Sequence, residues 1–303
     1  MPDFSRIVDS AITPGNEGLR PVIEKEILHY DILFALDREG LLDNLTFQGG
    51  TCLRLCHGSP RFSEDLDFVG GFDFSAAQLE QIRDCVMDHI ARRYGLEVNV
   101  KSPEVMREEP TYAGLNMDRW QVAVTTNPGR RDLPRQKIKL EVCNVPAHTS
   151  ELRPLQRNYG TLPASYQDLL VPVETRDEIL ADKVVSLPAC RDYIRHRDIW
   201  DILWLTQNGR ARLDPNLVSR KISDYGIEDY QTFLDEMIDQ VVGIAASEKF
   251  RGEMARFIEP ASRARTIDRP GFSRYLGGGV REVLEEARRA LFAPDAVPTE
   301  FEM

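Results

Sequence analysis

Two glycines followed closely by two alternating carboxylates constrain this chain more than any other feature. Phe47-Gln48-Gly49-Gly50-Thr51-Cys52-Leu53-Arg54 precedes Arg61-Phe62-Ser63-Glu64-Asp65-Leu66-Asp67-Phe68. A strand alternates its side chains, so Asp65 and Asp67 would share one face while Leu66 and Phe68 turn into a core. Carboxylates this close on a solvated face repel each other unless a divalent cation lies between them, and oxygen-only donors suit Mg²⁺ or Mn²⁺. Gly49 and Gly50 lack Cβ atoms, so the backbone can approach a ligand, and the free N–H groups opening the next helix would face phosphates. Alone, a Gly-Gly turn is usually only a turn and an Asp-x-Asp only solvated surface. Their order and closeness make the signal.

Length and charge bound what surrounds this feature. At 303 residues, two domains are expected, and 42% hydrophobic with 29% charged residues describes a soluble globular chain. No apolar run reaches bilayer length and the N-terminus lacks the apolar core of a signal peptide, so the expected place is the cytoplasm, with no membrane partner. Five scattered cysteines argue against a disulfide framework, and Cys52 with Cys56, a helical turn apart, reads as buried packing. A net charge of −11 means that a polynucleotide would have to be held by local basic patches. Three stand out: Arg130, Arg131, Arg135, Lys137 and Lys139; Arg191, Arg195 and Arg197; and Lys249, Arg251, Arg256, Arg263 and Arg265. Each singly also reads as a solvated face balanced by nearby acids.

The pattern of elements predicts an α/β (α+β) chain. Helical spacing covers Glu24–Leu42, Thr51–Cys56 and Ala76–Tyr94; strands are expected at Asp65–Val69, Leu96–Val100, Trp120–Val124 and Lys137–Cys143. The last strand turns Ile138, Leu140 and Val142 inward, which puts Glu141 on the other face as a candidate third carboxylate. After Pro146 the texture becomes a Pro- and Arg-containing connector through Pro163, almost nothing is strand-like beyond Val173, and most of the rest reads as helical. Residues 1–165 are read as one lobe built on a mixed sheet and 166–303 as a mainly helical lobe. Thr175-Arg176-Asp177-Glu178 reads as a capping box opening a helix through Leu187. Further helices are expected at Arg195–Thr206, Tyr230–Val242, Glu253–Ile258 and Val280–Leu291, with Gly277-Gly278-Gly279 as a break and a frayed end after Pro294.

The chemistry these residues allow is transfer of a nucleotide from a nucleoside triphosphate to a hydroxyl, where charge builds on both the attacking and the leaving oxygen. Asp65, Asp67 and Glu141 would hold the metal; Gly49, Gly50 and Thr51 would hold phosphates; Arg54 or Arg61 would either neutralise charge or form structural salt bridges. Ser63 reads as a brace at the start of the strand. The turn is no P-loop, because no Lys follows Gly50-Thr51, and His196-Arg197-Asp198 is no kinase loop, because Leu203 stands where a metal-binding Asn belongs.

Gly49-Gly50-Thr51-Cys52-Leu53-Arg54, Arg61 to Phe68, Ala181-Asp182-Lys183 and Arg197-Asp198-Ile199-Trp200-Asp201 together resemble the AbiEii/AbiGii-type nucleotidyltransferase toxins of type IV toxin–antitoxin systems. The resemblance implies a polymerase-β-like nucleotidyltransferase lobe, a helical lobe and a nucleotide lying between them. It further implies tRNA as acceptor, extended at its 3′ end so that translation is blocked, and a cognate antitoxin with a winged-helix region. By the same resemblance Lys183 would reach the nucleotide phosphates, and Asp198 or Asp201, three apart on one helix face, would complete the catalytic set. Ser63 falls within the nucleotide-binding motif. Two other readings stay open on the sequence: AMPylation-like transfer to a protein hydroxyl, and a non-catalytic relative that binds nucleotide.

Overall fold

A computed structural model describes residues 1–107, 117–130 and 132–292. The chain separates into two compact units, the first spanning Met1–Thr175 with Ala255–Arg265 and the second Arg176–Met254 with Thr266 onward. Arg131 and the segment after Pro294, Glu300 and Glu302 included, lie outside the described residues.

In the first unit, seven strands form one mixed sheet: β1 (Thr46–Gln48), β2 (Leu66–Val69), β3 (Val98–Lys101), β4 (Met117–Val124), β5 (Gln136–Cys143), β6 (Glu151–Pro154) and β7 (Leu170–Val173). Their order is β3-β4-β5-β2-β1-β7-β6. The β2–β5 and β1–β7 pairs are parallel and the others antiparallel. Alternation explains β2 and β5: Leu66, Phe68, Ile138, Leu140 and Val142 are buried while Asp67, Lys139 and Glu141 are half-exposed on the opposite face. Phe47 and Phe68 are register partners with ring centroids 5.0 Å apart, and burying each stabilises the sheet by about 1.5–3 kcal/mol.

Helices α1 (Phe4–Ala11) and α2 (Arg20–Arg38) precede the sheet, α3 (Gly49–Leu55) follows β1, and α4 (Ile82–Tyr94) and α5 (Pro103–Arg107) lie between β2 and β4. α2 is buried nearly all round, polar residues included, and each buried charge there is partnered as desolvation requires. Glu24 accepts from Thr126 and Gln136, Glu26 from Arg54 and Asn158, and Asp31 from Tyr94 and Tyr166.

The second unit is helical: α6 (Arg176–Ala189), α7 (His196–Gln207), α8 (Pro215–Asp224), α9 (Tyr230–Ala245), α10 (Glu248–Ala255) and α12 (Phe272–Phe292), while the short α11 (Pro260–Arg265) belongs with the first unit. On α6, Glu178 and Asp182 face the fully buried Lys221 of α8 at 2.7 and 3.1 Å.

Several expected elements differ. The connector after Pro146 contains β6, and β7 follows it; prolines are tolerated at a sheet margin, so Pro154 did not preclude a strand. Ala76–Tyr94 is not one helix: Ser75 and Gln78 form a capping box on a 3₁₀ turn at Ala76–Leu79, and α4 begins at Ile82. Gly277, Gly278 and Gly279 lie inside α12 rather than breaking it. A Cβ at Gly277 would sit 2.8 Å from Val242 Cα, and one at Gly279 would sit 2.6 Å from Leu203 Cδ1. Their smallness lets α12 approach α9 and α7, and that packing offsets the entropic cost of glycine in a helix.

Candidate active site

Two carboxylates of the first unit, Asp67 and Glu141, stand side by side in one row across the sheet. β1, β2, β5 and β4 align Gln48 with Asp67, Asp67 with Glu141, and Glu141 with Arg119. Register partners on neighbouring strands lie about 4.8 Å apart, so Asp67 and Glu141 are adjacent on one half-exposed face. Gly49 follows Gln48 at φ +75°, and a Cβ there would lie 2.5 Å from Asp67 Oδ2. The left-handed conformation and the close approach both require glycine. The next residue repeats the device: a Cβ at Gly50 would meet Arg61 Nη2 at 2.5 Å and Ser63 Oγ at 2.8 Å. The glycine turn and the Arg-x-Ser-x-Asp-Leu-Asp stretch therefore pack directly on each other.

The segment leading into β2 is fastened at almost every residue. Arg61, only 2% exposed, donates from Nη1 to Phe62 O at 2.7 Å, and the Phe62 amide donates to Phe257 O at 2.8 Å. Lys25 reaches Glu64 Oε1 at 2.8 Å, and His29 Nε2 lies 3.0 Å from Glu64 O. Burial pulls the His29 imidazole down to about 4, so it is neutral at pH 7 and donates through Nε2. Thr51 Oγ1 donates to Asp65 O at 2.5 Å, and Asp65 Oδ1 accepts the Lys139 amide at 3.1 Å. Asp65 precedes β2 by one residue and is tied to β5 through that bond.

Arg119 Nε donates to Glu141 Oε1 at 2.7 Å. Sequence reading missed Arg119 because the strand was expected to begin at Trp120; extending the alternation back to Met117 would have put Arg119 in the strand, and only the β4–β5 register sets it beside Glu141. Lys25 and His29 had no local signal, since their partner is 35 or more residues away. Arg54 bonds Glu26 Oε2 at 3.0 Å and stacks over Phe62, a salt bridge that ties α3 to α2. Arg130 pairs with Asp132 and Arg135 with Glu97, both exposed. Arg135 stands six residues before Glu141, about 20 Å along an extended chain, whereas Lys139 of the same patch stands two residues from Glu141 on the same half-exposed face.

The second unit holds Lys183, Asp198 and Asp201 together. Lys183 Nζ is 2.6 Å from Asp198 Oδ1 and 3.4 Å from Asp201 Oδ2, and all three residues are buried. Asp198 Oδ2 also accepts from Ser186 Oγ at 3.0 Å and from Arg195 Nε. Burial alone would raise the Asp198 carboxyl, but the charges of Arg195 and Lys183 and their hydrogen bonds outweigh it and hold it well below the usual carboxylate range. The α6 helix thus presents Asp182 to Lys221 of α8 and the next residue, Lys183, to α7, two directions about 100° apart.

Asp65, Asp67 and Glu141 offer oxygen donors, the kind a hard divalent cation takes, and Glu141 is shared with Arg119. A glycine turn lies against in-register carboxylates on a mixed sheet, and the family model that this chain matches makes it a nucleotidyltransferase. It belongs to the AbiEii nucleotidyl transferase toxins of type IV toxin–antitoxin systems, whose family model matches residues 31–278. A similar fold occurs in MenT4, a nucleotidyltransferase toxin of Mycobacterium tuberculosis H37Rv, at 19% identity and a TM-score of 0.56 over 96% of this chain and 99% of that one. JHP933 of Helicobacter pylori also aligns, at 18% identity and a TM-score of 0.46, over 89% of this chain and 96% of that one. No curated protein sequence matches. Membership of a toxin–antitoxin family implies a nucleotide substrate and an antitoxin. Among the described residues no helix is long and apolar enough to cross a membrane.

Proposed function

We propose that the chain transfers nucleotides from a nucleoside triphosphate to RNA, with the 3′ end of tRNA as acceptor, and so blocks translation in the cytoplasm. The observation that carries this reading is the in-register pair Asp67 and Glu141 with Gly49 packed against Asp67. Asp65, Asp67 and Glu141 would hold Mg²⁺ or Mn²⁺, which when bound supplies positive charge against the triphosphate and the acceptor oxygen. Gly49, Gly50 and Thr51 let the backbone approach the phosphates. Arg61 and Ser63, packed on Gly50, keep that turn in shape, and Arg54 braces it from behind through Glu26. Lys183 is the point charge for the nucleotide phosphates, and Asp198 and Asp201 orient it.

The test incubates the full-length chain with each labelled nucleoside triphosphate, Mg²⁺, and either total RNA or total protein, with Asp67→Asn as the inactive control. Label is expected on tRNA, removable by a 3′ exonuclease, and absent with the variant. Label confined to a protein band would replace the RNA acceptor with a protein hydroxyl, and no transfer from any nucleotide would leave only a nucleotide-binding relative.

A further inference from the structure

The loop between α6 and α7, residues 190–195, carries two large apolar side chains that no core claims. Tyr193 is 62% exposed and Ile194 44% exposed. A solvent-facing tyrosine next to an exposed isoleucine costs hydration free energy unless a partner covers it. The charges around it are uneven. Arg191, Arg195 and Arg197 stand within seven residues against the single Asp192, in a chain whose net charge is −11. Arg191 and Arg197 pair with Glu236 and Glu253 at 2.8 and 4.0 Å while staying substantially exposed. Arg191 also lies over the Phe233 ring at 4.7 Å, and exposed pairs of this kind are worth little, so both charges remain open to solvent and to a phosphate arriving from it.

The loop is also wired to Lys183. Arg195 donates from Nη1 to Tyr193 Oη at 3.4 Å and from Nε to Asp198, whose other oxygen binds Lys183. One guanidinium thus props the exposed ring and fixes the carboxylate that orients the candidate phosphate-binding lysine.

An exposed aromatic face amid arginines, beside a phosphate-handling group, is the equipment for stacking an unpaired base while the neighbouring cations track its backbone. We propose that Tyr193 is the stacking platform for an unpaired base of the acceptor RNA, with Arg191 and Arg197 on the flanking phosphates. This rests on the RNA-acceptor reading above and assigns that acceptor a place on the chain. RNA is favoured over a protein partner because the apolar pair is rimmed by cations and an unpaired strand end offers both a π-face and phosphates.

The experiment measures the Kd of deacylated tRNA, and the KM for it in transfer, with the full-length chain and with Tyr193→Ala, Tyr193→Leu and Tyr193→Trp. Nucleoside triphosphate affinity and melting temperature are measured alongside. Alanine and leucine are expected to weaken RNA binding roughly tenfold, the scale of one lost base stack, with tryptophan near the parent. Melting temperature and nucleotide affinity should stay at the parent values. Parental RNA affinity in the alanine variant overturns the inference. So does parental affinity in the leucine variant, because apolar area without a π-face would then suffice. If the parent labels only protein, the acceptor reading itself falls; if it labels RNA and Tyr193→Ala labels it equally well, only this inference falls.

Discussion

Asp67 shows how little room the site leaves at the scale of one residue. It faces Glu141 across the parallel strands, and its carboxylate fills the space that a Cβ on Gly49 would need. Asp67→Asn keeps that shape and removes one of two neighbouring like charges. We expect transfer to fall by at least 100-fold with the melting temperature unchanged or slightly raised; near-parental turnover at saturating Mg²⁺ would remove Asp67 from the metal site. Lys183 behaves differently because it is buried against two carboxylates. Lys183→Ala should cost about 3–5 kcal/mol of stability by leaving buried charge uncompensated. Adding Asp201→Asn should restore part of the urea midpoint without restoring transfer, and a double variant that regains transfer would make Lys183 purely structural. That Asp67 and Glu141 turn away from the buried face of their strands could be read from the sequence because strand alternation is a local rule. The Glu141–Arg119 and His29–Glu64 contacts could not, since strand pairing and helix packing bring those partners together from distant positions.

At the scale of elements, hydrophobic period located most strands and helices, and its failures have a common cause. Gly277-Gly278-Gly279 was read as a break because local propensity penalises glycine in a helix, yet the neighbours of α12 decide otherwise. The three positions therefore predict opposite outcomes for one substitution. At Gly278 an added Cβ meets nothing within 4 Å, so Gly278→Ala should stabilise by about 0.5–1 kcal/mol. At Gly277 the same methyl would press on the backbone of α9, so Gly277→Ala should destabilise. Urea midpoints of the two variants check this, and equal shifts in the same direction would refute the packing account. β6 was missed for a related reason: Pro154 argues against a strand locally, and the edge of the sheet, where β6 lies, accepts it. The turn of texture near residue 165 was read from composition, whereas the compact units divide after Thr175 and return Ala255–Arg265 to the first, a long-range connection that no window along the chain can contain.

For the whole molecule, the two units should meet acid differently. His29 is buried with its pKa at about 4, below the ordinary value near 6.5. A folded-state pKa below the unfolded one means that the unfolded chain binds the proton first. The stability tied to neutral His29 is therefore complete above about pH 6.5 and falls as the pH drops toward 4, by about 3 kcal/mol in all. Asp198 is held below the carboxylate range chiefly by Arg195 and Lys183 against the cost of its burial, so its contribution persists until the pH falls under the ordinary aspartate value near 4. The first unit should consequently loosen most between about pH 6.5 and 4; the second, whose half-exposed His196 is also pulled below its ordinary value by burial, should loosen less. Trp120 reports on the first unit and Trp200 and Trp204 on the second. Single-tryptophan variants followed through thermal unfolding at each pH should show the Trp120 transition moving down first. His29→Gln, which keeps an N–H that can reach Glu64 O but does not titrate, should flatten that early fall. If the Trp120 transition still drops over the same range in His29→Gln, the acid sensitivity of the first unit belongs to another group and the clamp on Glu64 is not its origin.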